Sequence, residues 1–156
     1  MSPFKFSLAL LVAGALPFAP AMAQGPAAGL TENPNGIAAV EFLDTIFNQK
    51  KVAEAFASYV GDDYIQHNPT VPSGIEAAVQ GLSGFVGSGP ANPYDFKRVI
   101  AEGDLVAVHS HVHLVPEGPG FAVVDMFRVD ENGKIVEHWD VVQAVPETAA
   151  NDNTMF

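Results

Sequence analysis

No cysteine occurs anywhere in the 156 residues. A disulfide framework, a thiolate metal centre and a cysteine nucleophile are thereby excluded. Basic residues are scarce: 7 Lys and Arg stand against 18 Asp and Glu, a formal net charge of −11. Such a surface repels phosphate backbones, which excludes nucleic acid as a partner, and the excess of acid reads as solubility. Nucleotide and nucleophile signatures are missing too. There is no Gly-x-Ser-x-Gly elbow, no Walker loop and no Gly-x-Gly-x-x-Gly after a strand. Tryptophan occurs once, at Trp139.

What is present is a chain of single-domain size, 48% hydrophobic and 16% charged, which marks it as globular. Its only long apolar run lies at the start. Met1–Ala23 carries Lys5, the run Leu8–Leu16 and small residues at Ala21 and Ala23. That is the pattern of a secretory signal cut before Gln24, so an exported, periplasmic or secreted protein is expected. The run is too short, and too interrupted by Pro17 and Pro20, to remain as a membrane span. Losing Lys5 with the leader takes the net charge from −11 to −12.

Residues 24–36 read as a loose arm rich in Gly, Pro and Asn. From Ile37 the apolar spacing turns helical, through Val40, Leu43 and Phe47, with Asn35 as cap. A second helix is expected over Lys50–Tyr59, stopped by Gly61, and a third after the capping-box pattern Ser73-Gly-Ile-Glu76. Asp62–Pro69 reads as an ordered loop or single turn between them. The remainder is β: Tyr94–Glu102, a turn at Gly103-Asp104, Leu105–Val115, and a hairpin over Phe121–Val145, followed by a polar tail at 146–156. Helices first and an antiparallel meander second is an α+β arrangement over 37–145.

Two groups of residues carry possible chemistry. Alternation along Leu105–Val115 puts His109, His111 and His113 on one face, and Val106, Val108, Ser110 and Val112 on the other. The outer two histidines splay about 13 Å apart at about 3.3 Å per residue, so three cannot share one ion and no metal is expected. The second signal is Asp125, a carboxylate between Val123 and Phe127 on an apolar strand. Desolvation raises a carboxylate's pKa toward the range useful to a general acid or base. Pairing with a histidine merely to hold the sheet is the other use. A three-residue loop with Gly133 left-handed sets Asp125 opposite Trp139 and turns His138 and Asp140 to the other face. A two-residue turn sets Asp125 opposite Asp140. Arg128 falls on the face opposite Asp125 and is expected to pair with Asp140 or Glu137. His67, between Gln66 and Asn68, is a candidate for the pocket mouth.

The segments Tyr64-Ile-Gln-His-Asn-Pro69, Asp125-Met-Phe-Arg128, Gly133-Lys-Ile-Val-Glu-His-Trp-Asp140 and Asn151-Asp-Asn-Thr-Met-Phe156 together resemble the SnoaL-like polyketide cyclase branch of the nuclear transport factor 2-like superfamily. The likeness runs from about Ile37 to the C-terminus and is nearest to the group described as predicted SnoaL-like aldol-condensation enzymes. The resemblance implies a cone-shaped α+β barrel, with three helices on a strongly curved antiparallel sheet enclosing an apolar pocket. It also implies homodimers through the sheet, and acid/base catalysis of aldol, cyclase or isomerase type on a small apolar carbonyl compound, without cofactor. By motif context the resemblance points to Asp125 as the acid, with His111 as its partner; Trp139, Phe127, Val123, His67 and His109 are expected around the substrate. Because this fold also hosts non-enzymes, a non-catalytic small-ligand-binding module is the alternative.

Overall fold

The computed structural model of the chain describes residues 25–91, 93–115 and 117–156. The leader at Met1–Ala23 and its cleavage point before Gln24 lie outside the described residues. Helix α1 spans Pro34–Leu43. Its cap is Asn33, two residues before the expected Asn35: the Asn33 side chain accepts from the backbone N–H of Asn35 and Gly36, and Pro34 takes the first helical position, where no N–H is needed. α1 runs into a π-helical turn, Asp44–Asn48, before α2 at Val52–Tyr59. α3 covers Ile75–Ser88. The expected capping box is not made. Gly74, at φ 89°, occupies the cap position, which leaves Ser73 one residue outside the helix.

Five strands follow one open, curved sheet in the order β1-β5-β4-β3-β2: β1 Val60–Gln66, β2 Tyr94–Glu102, β3 Leu105–Val112, β4 Phe121–Val129 and β5 Ile135–Ala144. β2 to β5 form the antiparallel meander that the turn signals predict. β1 corrects the expectation of a loop at Asp62–Pro69. It pairs parallel with β5, so the sheet is mixed, and β1 and β2 remain as edges of a sheet that does not close. Gly61, expected as a helix stop, lies inside β1.

The helices cover one face of the sheet. Val106 and Val108 of β3 and Phe127 of β4 point inward and are fully buried against Val40, Leu43 and Ile46. Phe42 is the hub, with its ring edge-on to Phe127 at 5.8 Å and to Phe56 at 5.4 Å. The opposite face carries Leu105, Met126 and Val141 exposed, with the C-terminal Phe156 lying over the β3 histidines.

The β4–β5 hairpin holds the most consequential local feature. Its tip is a three-residue loop: Asp130 N–H bonds to the Lys134 carbonyl, and Gly133 has φ 77°. Val129 then pairs with Ile135, but Arg128 pairs with Glu137. Val136 has no partner, and this bulge shifts the register by one for the rest of the hairpin. Asp125 therefore faces Asp140, although the loop is the one that would otherwise have set it against Trp139.

Candidate functional site

A pocket of about 340 Å³ opens between the helices and the inner face of the sheet. Its walls are apolar, with Leu43, Phe47, Leu82 and Phe85 from the helices and Val112 and Val123 from the strands. Its polar end gathers Asp125, His138 and Asp140 of the hairpin, Gln66 and Asn68 at the end of β1, and Tyr94 at the start of β2.

The shifted register builds this cluster. Asp125 lies opposite Asp140, and Phe127 opposite His138, so both His138 and Asp140 share the inner face with Asp125. The expectation that they turn outward is corrected. Asp125 is 3% exposed, and its Oδ1 lies 3.2 Å from His138 Nε2. The imidazole is stacked on the Phe127 ring at 5.0 Å. Its Nδ1 lies 2.9 Å from Gln66 Oε1, and that same oxygen accepts the Asn68 backbone N–H at 2.8 Å. The Gln66 amide nitrogen donates to the Tyr64 hydroxyl, which fixes the amide's orientation. His138 Nδ1 must therefore carry a hydrogen, and a single further proton is left to close the contact between His138 Nε2 and Asp125. Burial raises the Asp125 pKa, opposed by the hydrogen bond and charge of His138 and assisted by the nearby Asp140 carboxylate. Burial thus favours the neutral carboxyl of Asp125 over the carboxylate. Asp125 Oδ2 is buried without a hydrogen-bond partner.

Asp140 is placed differently. Its Oδ2 accepts from Asn68 Nδ2, whose own carbonyl is held by the Thr70 N–H and hydroxyl. Its Oδ1 makes no hydrogen bond among the described residues, and Asp140 lines the cavity. Asp125, His138 and Asp140 each offer a ligand atom within 4.8 Å of the others, a donor set of the kind divalent cations use. The β3 histidines, which first suggest a metal, are on the other side of the sheet.

That displacement corrects several site expectations. Inward alternation of Val106, Val108, Ser110 and Val112 forces His109 and His111 outward. His111 donates to the Pro119 carbonyl and stacks under Phe156 at 4.0 Å, so it cannot partner Asp125. His109 accepts from Arg98 and also meets Phe156. The bulge puts Trp139 on the outer face, where it stacks flat on His67 at 4.9 Å with the Arg128 guanidinium 5.8 Å away. His67 donates to Glu137, and Arg128 bonds both Glu137 and Asp104, so neither His67 nor Trp139 reaches the pocket. Val123 does line it, whereas Phe127 lies beneath as the floor on which His138 rests.

Sequence reading missed Gln66, Asn68 and Tyr94. A strand-like alternation through Tyr64, Gln66 and Asn68 was available as a signal for the first two. Tyr94 carried none, because its setting depends on Phe47 and Asn48 of the π-helical turn packed against it.

No curated protein sequence matches the chain. Solved structures do. A putative polyketide cyclase from Acidithiobacillus ferrooxidans is 15% identical, with a TM-score of 0.58 over 71% of this chain and 89% of that one. A steroid delta-isomerase from Pseudomonas aeruginosa is 16% identical, with a TM-score of 0.54 over 74% and 82%. TsrD from Streptomyces laurentii is 16% identical, with a TM-score of 0.55 over 72% and 90%. At such identities the likeness is one of fold. The sequence itself carries the stronger statement: residues 39–138, from α1 through His138 on β5, match the profile of the SnoaL-like domain, and the chain belongs to that family.

Proposed function

We propose that this protein is a cofactor-independent acid/base catalyst of the cyclase or isomerase type, acting on a small, neutral, apolar carbonyl compound. One observation carries the reading. In an apolar pocket, the Asp140 carboxylate, with one oxygen unbonded among the described residues, stands beside the hydrogen-bonded Asp125–His138 pair. Asp140 takes a proton from the carbon next to the carbonyl and returns it after the bond rearrangement. Burial raises the Asp125 pKa, which favours its neutral form beside His138 and spares Asp140 a second buried negative charge. Neutrality of the substrate follows from the same carboxylates, which repel anions. The names of two fold neighbours, a putative polyketide cyclase and a steroid delta-isomerase, support the reaction class. Export, expected from the leader, would separate the site from any cytoplasmic synthase, which favours a free small molecule over a carrier-tethered chain.

The test is hydrogen–deuterium exchange next to the carbonyl of 2-tetralone, a flat neutral bicyclic ketone, in chelator-treated D2O, read by proton NMR. The wild type should accelerate exchange, and Asp140→Asn should lower the rate by about 10²–10⁴-fold, the usual contribution of a positioned base. An unchanged rate in Asp140→Asn sinks the assignment. Binding of neutral ketones by the wild type without any exchange favours a non-catalytic ligand-binding module instead.

A further inference from the structure

We infer that the Tyr94 hydroxyl is the hydrogen-bond donor that receives the substrate's carbonyl oxygen and stabilises the negative charge built there when the adjacent carbon loses its proton. This deepens the acid/base reading and rests on it. Tyr94 lines the pocket together with Asp125, His138 and Asp140, and no part of the proposed proton transfer uses it.

Its placement is over-determined. The ring is stacked on Phe47 at 4.4 Å and 14°. Its backbone is held at both ends by one side chain: Tyr94 N–H donates to Asn48 Oδ1 at 3.0 Å, and Asn48 Nδ2 donates to the Tyr94 carbonyl at 3.1 Å. Asn48 is itself braced by Asp44 at 3.0 Å. Phe47 and Asn48 both sit in the π-helical turn Asp44–Asn48, a widened turn of a type that recurs at functional sites. A segment of distorted helix is thus spent on fixing one tyrosine.

Tyr59 bonds Glu41 and Tyr64 receives Gln66, but the Tyr94 hydroxyl has no hydrogen bond among the described residues. Tyr94 is only half-buried and lines the cavity. Burial, with Asp125 and Asp140 nearby, pushes its pKa well up, so the group stays protonated and offers an O–H to an incoming oxygen. A donor fixed in advance beside a base is the arrangement that lowers the cost of an enolate-like oxygen in a dry site.

The substrate class narrows accordingly: a flat, uncharged ketone or enone whose carbonyl enters first, between Tyr94 and the Asp140 carboxylate. The probe is 2-naphthol, the aromatic counterpart of the 2-tetralone enol, with binding measured by calorimetry. Tyr94→Phe keeps the ring and its stack and removes only the hydroxyl. It should weaken 2-naphthol binding about tenfold and slow 2-tetralone exchange about a hundredfold in kcat with KM little changed. Binding within twofold of the wild type, or a wild type that does not bind 2-naphthol, overturns the inference. Weaker naphthol binding with no wild-type exchange keeps the donor and removes the acid/base reading, while normal exchange in Tyr94→Phe does the reverse. If Tyr94→Phe does not fold, Asn48→Ala carries the same readout by releasing the clamp: several-fold weaker naphthol binding supports the donor, and unchanged binding overturns it.

Discussion

Replacing Asp125 by Asn separates two accounts of the buried pair by a pH-dependent stability difference. Burial holds the Asp125 pKa above the ordinary carboxylate value, against the opposing pull of His138. Between the unfolded and the folded pKa, the native state binds more protons than the unfolded chain. Wild-type stability therefore falls as pH rises through that window and levels off above it. Each pH unit of the window costs about 1.4 kcal/mol. Asn at position 125 has no proton to lose, and its amide N–H can donate to His138 Nε2 where the carboxyl did. What it forfeits is the difference between two donors, within the roughly 0.5–1.5 kcal/mol that a hydrogen bond contributes. Asp125→Asn should match the wild type, or fall slightly below it, in mild acid, and should become the more stable of the two as pH rises through the window. Urea denaturation of both proteins across that range reads the difference. A deficit that is constant, or that widens as pH rises, refutes the reasoning. It would mean that the native state holds an Asp125 carboxylate stabilised by an imidazolium.

Two further outcomes follow from the packing. Phe127→Ala removes a fully buried ring that touches Phe42 on one side and supports His138 on the other, and should cost about 3–5 kcal/mol in urea denaturation. On the outer face, the exposed Leu105, Met126 and Val141 form an apolar strip across the central strands, and we expect it to join two copies of the chain. Light scattering should then give a dimer for the wild type and a monomer for Met126→Glu at unchanged fold, and a monomeric wild type at micromolar concentration removes the expectation.

Alternation and turn chemistry were legible in the amino-acid sequence where they were local. Val106, Val108, Ser110 and Val112 turn inward as their period of two requires, and Gly133 takes the left-handed place the three-residue loop demands. The single unpaired residue Val136 was not legible. A bulge costs one residue of register, and one residue exchanges the two faces of a strand. Trp139 moves out and His138 and Asp140 move in on that account alone. β1 escaped for a different reason. Val60-Gly-Asp-Asp-Tyr-Ile-Gln66 has little apolar alternation, and its strand character comes from pairing with β5, some seventy residues later. His111, which the family resemblance set beside Asp125, lies on the other face, and the residue across from Asp125 on β3 is Val108.

β1 also governs something that a static description leaves implicit. Gln66, which sets the hydrogen on His138 Nδ1, ends β1, and Asn68, which holds Asp140, lies two residues beyond. β1 is an edge, and its ladder with β5 is interrupted between Val60 and Ile65. Edge segments part from their neighbours in local openings that leave the central strands intact, and their amide hydrogens exchange first. Whenever this edge parts, the imidazole is released to choose its tautomer anew and Asp140 loses its tether. The lifetime of the closed edge is therefore the interval over which the pocket keeps one arrangement of its protons.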